Sequence, residues 1–142
     1  QLKITPDIKT ASRALAKNKE LENLALERIK TKYWDRAKLD HVHSQKIADE
    51  IFLFGFNVDM PIAIKKAQKL VGVYQDGIVG NMTLKALNSF DVNIFDIEFD
   101  KEEIKYYDAI IKAKPYLAPN KTGWYARALF AFNAQSTDTL IA

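Results

Sequence analysis

Few residues in this 142-residue chain have the type and spacing that chemistry demands, and carboxylates come first among them. General acid catalysis needs a carboxyl whose pKa is raised by apolar surroundings, with a second carboxylate or a water-activating group opposite. Glu20, Glu22 and Glu27 fall on the charged side of a helix, where solvent keeps such groups ordinary. Glu50 is the one outside candidate. It precedes Ile51 and Phe52 and could edge a cleft, although Asp49-Glu50 reads first as the polar face of an amphipathic helix. His41 and His43 have the spacing of a chelating pair, but with two histidines and no cysteine no third soft ligand completes a site, and they read as loop residues. The absence of cysteine also removes a thiol nucleophile and any disulfide framework.

Other residues suit recognition. Tyr33-Trp34 either plug the core or stack on a ligand such as a sugar ring. Asn57, at a break between helices, either ties the loop backbone or hydrogen-bonds a ligand. Asp76-Gly77-Ile78-Val79-Gly80 reads as a rigid turn: Asp76 accepts backbone amides, Gly77 and Gly80 supply positive φ, and Ile78 and Val79 point inward. A calcium loop would need alternating oxygen ligands and a distal Glu, which do not follow here.

These residues need helices to position them. Thr5-Pro6-Asp7 opens a short helix to about Lys17, and Asn18 caps the next, with Leu21, Leu24, Ala25 and Ile29 on one face. Lys30, Lys32, Arg36 and Lys38 form a solvated basic cluster near its end. Ser44 caps the central core helix, which carries Ile47, Ala48, Ile51, Phe52 and Phe54. A groove is expected at the break from Gly55 to Asp59. Asp59 and Pro61 start a helix with Ile62, Ala63, Ala67 and Leu70, ended by left-handed Gly72. Asn81 caps the next, with Leu84, Leu87 and Asn88. From Phe90 to Phe99 apolar residues alternate with acids, which predicts a connector whose Asp91, Asp96, Glu98 and Asp100 are solvated, since their spacing does not converge on a cation. Asp100 caps a helix burying Ile104, Tyr107 and Ile111, and Pro115 ends it. A turn from Pro119 to Gly123 leads to a last helix with Trp124, Ala128, Leu129 and Phe132, and the tail from Ser136 frays. The expected class is all-α, six to eight helices around one continuous core.

Lys plus Arg exceed Asp plus Glu by only 21 to 18, too even a balance for a nucleic-acid signature and equally suited to anionic cell-wall polymers. No apolar run approaches the roughly 20 residues that cross a bilayer. No signal-peptide pattern occurs, and the start at Gln1 is that of a processed or partial product.

The turn, with Thr83, Leu84 and Leu87 behind it, resembles the helical peptidoglycan-binding repeat found beside cell-wall hydrolases. The succession Tyr33-Trp34, Ile47 to Phe56 with Asn57, Ala67-Gln68, DGIVG with Thr83, then Tyr106-Tyr107, Pro115, Gly123-Trp124 and Arg127 resembles glycoside hydrolase family 108 across roughly residues 20–130. The resemblance implies a lysozyme-like helical fold in a bacterial or phage N-acetylmuramidase, endolysin or secretion activator that acts at the periplasm or cell wall. On it, residues 1–58 are the lysozyme-like part without its catalytic N-terminal helix, and 59–142 are a peptidoglycan-binding-type region packed on the same core. It implies glycan strands of peptidoglycan as partner, contacted by Tyr33, Trp34 and Asn57, with Asp76, Gly77, Gly80 and Thr83 as a structural turn. No cofactor and no metal are expected.

The departures matter as much. The family's general-acid Glu lies in a Glu-Gly-Gly-Tyr motif, and no Glu-Gly pair occurs in this chain, so that residue is expected upstream of Gln1 or missing. Asp59 stands where the family has Gly, and Asn81 where it has Pro. Two readings stay open: most of a muramidase, and a noncatalytic peptidoglycan-binding or interaction module. A purely structural role is the third. If an upstream helix normally covers Phe52 and Phe54, the chain exposes an apolar patch and self-associates.

Overall fold

A computed structural model describes residues 8–129, and every regular element among them is helical. The chain forms two compact units, the first ending at Lys32 and the second beginning at Tyr33. The first contains α1, Ile8–Ile29, which runs through Asn18 without the break expected there. Ala, Leu, Lys and Glu on either side are strong helix formers, and one interior Asn costs only about 0.5 kcal/mol against them. Leu21, Leu24 and Leu26 along α1 are each more than half exposed. The expected Thr5-Pro6-Asp7 start, Phe132 and the tail from Ser136 lie outside the described residues.

A π turn, Lys30–Trp34, continues α1, and the second unit goes on with two 3₁₀ turns, Asp35–Ala37 and Leu39–His41. Lys38 between the two is left-handed, with φ 51°. Helix α2, Gln45–Asn57, starts as its sequence says it should, Ile47 N–H donating to Ser44 Oγ at 3.2 Å. Helix α3, Met60–Val71, follows after Val58 and Asp59 alone and ends at Gly72, φ 80°. At the junction where a groove is expected, Gly55 and Met60 are buried against each other. A Cβ on Gly55 would lie 2.0 Å from Met60 Sδ and 3.2 Å from Met60 Cα, so the Met60 thioether can sit where it does because residue 55 has no side chain.

Helix α4, Asn81–Ser89, has Gly80 rather than Asn81 as its N-cap. The expected connector from Phe90 to Phe99 is helical. Asp91 caps α5, Val92–Ala113, by accepting from Ile94 N–H at 2.9 Å, and Asp100 is mid-helix rather than a cap. The stretch fits both periods. Burying Phe95 and Phe99 while leaving Ile97 between them half exposed is the helical choice, because a strand would put 95, 97 and 99 on one face whereas a helix turns i+2 away from i and i+4. Pro115 stops α5 as expected and opens a 3₁₀ stretch, Pro115–Asn120, which passes into α6, residues 121–129.

The core lies where α2, α3 and α5 face one another. Phe54 is 1% exposed and meets Phe99 and Tyr107 edge-on at 5.8 and 6.0 Å, so it is covered, while Phe52 is partly buried. Tyr107 in turn stacks on Trp124 at 5.2 Å, which ties α6 to the same core. No described helix is long and apolar enough to cross a membrane.

Candidate functional site

The turn after α3 is organised by a residue of the helix before it. Gln68 is fully buried, and its Nε2 reaches Asp76 Oδ1 at 3.0 Å, Ile78 O at 2.9 Å and Thr83 Oγ1 at 3.1 Å. Its Oε1 accepts from Gly77 N–H at 3.0 Å. One amide thus joins α3, both limbs of the turn and the first turn of α4. Asp76 Oδ1 also accepts from Ile78 N–H at 2.9 Å; that amide first, and Gln68 second, hold its carboxyl below the usual range. Gly77 takes the expected positive φ, 76°. Gly80 does not, its φ being −111°. Val79 is buried as expected, but Ile78 is 70% exposed.

Ile78 points outward together with Tyr74 and Met82, each at least 70% exposed. The three rim an open surface cavity of about 460 Å³ whose lining includes Asp76 and Thr83. An apolar rim around hydrogen-bonding groups suits a ligand with both a flat apolar face and hydroxyls.

Tyr33 and Trp34 belong to a separate aromatic group. Tyr33 meets Phe56 edge-on at 5.1 Å, Trp34 meets Phe52 at 5.6 Å, and Phe52 stacks on Phe56 at 5.8 Å. Trp34 Nε1–H donates to Asp40 Oδ1 at 2.8 Å. Both residues pack on α2, while Phe56 remains 45% exposed and Asn57 stands exposed beside it at the helix end. The imidazoles of His41 and His43 are exposed; what is fixed there is their backbone, His43 N–H donating to Asn88 Oδ1 and Asn88 Nδ2 to His41 O.

Glu50 lies neither on a solvated face nor at a cleft edge. It is 1% exposed and turns inward toward α5, where Asp96, Asp100 and Glu103 are 1%, 7% and 4% exposed. Oxygens of Glu50, Asp100 and Glu103 lie within 4.8 Å of one another. Lys46 Nζ is 3.0 Å from Asp96 Oδ2. Glu50 Oε1, Asp96 Oδ1 and Asp100 Oδ1 meet no hydrogen-bond donor. Burial above all, and then the charge of Asp100, pushes Glu103 up to about 9; Glu50 is raised by burial and then by Asp100, and Asp100 by burial and then by Asp96. The signal for this group was in the sequence: acids at 96, 100 and 103 share one helical face once 92–113 is read as a helix.

No protein-family profile matches this chain, and no curated protein matches it. Among solved structures, SagA of Brucella abortus matches with a TM-score of 0.67 at 23% identity, over 77% of this chain and 60% of that one. The chain therefore spans less than two thirds of SagA, and what the two share is the all-α fold.

Proposed function

We propose that this chain recognises peptidoglycan as part of a lysozyme-like protein of the muramidase, endolysin and secretion-activator type, and supplies no proton donor of its own for cleavage. The observation that carries this reading is the turn locked by Gln68, which holds Tyr74, Ile78 and Met82 outward around polar groups. A sugar ring offers an apolar face to Tyr74 and hydroxyls to its surroundings. The turn and the segments around it are also those that resemble the peptidoglycan-binding repeat and family 108, and the fold is shared with SagA. For cleavage a carboxyl must reach the glycosidic oxygen. Glu50, sealed between α2 and α5, has no such access.

The test is to incubate the purified chain with insoluble peptidoglycan and to measure pelleted protein and released reducing sugar in the same tubes. The expected result is pelleting without release. Tyr74→Ala and Met82→Ala should each weaken pelleting roughly tenfold, the effect of losing one anchor residue. Release of reducing ends would overturn the noncatalytic reading. Failure to pellet would overturn peptidoglycan recognition and favour a structural role.

A further inference from the structure

We propose that the junction of α2 and α5 is a binding site for a hard divalent cation, calcium before others, with Glu50, Asp100 and Glu103 as ligands. The ligand oxygens converge within 4.8 Å, the span that two oxygens on opposite sides of a calcium ion occupy at about 2.4 Å each. Convergence of acids alone would mean little. The independent observation is Glu50, which comes from the facing helix, is 1% exposed and directs an unpartnered Oε1 into the α5 acids. Asp96 and Asp100 each add a further oxygen without a donor.

Carboxylates that bind a cation are ionised and only accept hydrogen bonds, so Glu50, Asp100 and Glu103 in that state cannot satisfy one another in a dry interior. Lys46 lies 3.0 Å from Asp96 and its charge also acts on Asp100, so one cation stands against four carboxyls. A buried charge without compensation is strongly destabilising, and a cation lying between the oxygens removes that penalty directly. The donors are oxygens alone, which selects hard ions over zinc or copper. Three carboxylates bring two oxygens each, within reach of the six to eight that calcium takes. Magnesium keeps several waters, for which a site this buried has little room. The ion would staple α2 to α5 and has no part in contacting a glycan.

The full chain is stripped with EDTA, dialysed, and titrated with CaCl₂ by calorimetry, with bound metal counted by elemental analysis and thermal unfolding followed in parallel. The expected result is one calcium per chain and a melting temperature raised by roughly 5 °C or more at saturation. Glu103→Gln and Glu50→Gln should abolish both responses while keeping the helical circular-dichroism spectrum. Terbium luminescence on the unaltered chain, displaced by calcium, gives the same answer if a variant does not fold. Absence of binding and of any shift with calcium, manganese or magnesium would overturn the proposal. So would a calcium response that survives in both variants, or a stability that follows pH alone and ignores calcium.

Discussion

Gln68 and Glu50 are side chains of equal length, each on a helix of the second unit and each sealed from solvent, and they differ by one group: an amide where the other has a carboxylate. At Gln68 the amide donates and accepts at once, and its hydrogen bonds reach Asp76, Gly77 and Ile78 of the turn and Thr83 of α4. At Glu50 acceptors face acceptors. The comparison shows that burial of a polar group is not itself a cost or a gain. What decides is whether donors and acceptors are matched within the protein or must be matched by something added.

That contrast can be broken most forcefully at Gln68. Gln68→Leu orphans Gly77 N–H and strips partners from Asp76, Ile78 and Thr83, so chemical denaturation should register a loss of about 3 kcal/mol. A loss under about 1 kcal/mol would mean that the turn holds itself. At the other site the same kind of experiment should change sign. In EDTA, Glu50→Gln removes the cost of holding that carboxyl protonated above its ordinary range and provides a donor to Asp96 or Asp100, and stability should rise by about 1–2 kcal/mol. A fall would show the pocket to be complete as it is.

The two regions should also respond to pH in opposite directions. For Glu50 and Glu103, which share the α2–α5 junction with Asp96, Asp100 and Lys46, folded pKa values lie above ordinary ones. Their stabilising contribution is therefore complete below the ordinary glutamate value of 4.5 and is lost as pH climbs toward the value near 9 of Glu103. Denaturation of the chelator-treated chain between pH 4.5 and 9 should show that decline. Asp76 is shifted down, so its contribution is present above its ordinary value of 3.8 and is lost as pH falls through its lowered folded value. Hydrogen exchange at the Ile78 amide, corrected for intrinsic rate, should quicken as that happens, and an unchanged rate would remove Asp76 from the account. The smallest effect is expected at Thr83. Thr83→Val leaves Gln68 Nε2 with two of its three acceptors, and about 0.5–1 kcal/mol should be lost.

The turn was legible because its parts are contiguous. Asp76, Gly77 and Gly72 carry their geometry in their own identities, and the local chain fixes them. Its anchor was not, since Gln68 sits a helix end away and its partners are known only once α3 and the turn fold back on each other. Nor does composition say which of Ile78 and Val79 faces inward. The acid pocket was hidden by a choice of period. Residues 90–100 satisfy an alternating pattern as written, and only the burial of Phe95 and Phe99 against Phe54 selects the helix that gathers Asp96, Asp100 and Glu103. Ser44, Asp59, Gly72 and Pro115 marked element ends correctly, because caps and breakers act within a few residues of themselves.

The corner at Gly55 also bears on rates. Helices α2 and α3 are separated by Val58 and Asp59 alone, so their contact closes almost no loop and can form early, with Met60 seated over Gly55 as its first tertiary contact. The seam between α2 and α5 must wait for the intervening turn and α4. Enlarging residue 55 should therefore slow folding, whereas changes at the carboxylates should act mainly on the speed of unfolding. A pocket assembled last is the first to open, and the α2–α5 seam governs how long the folded chain lasts.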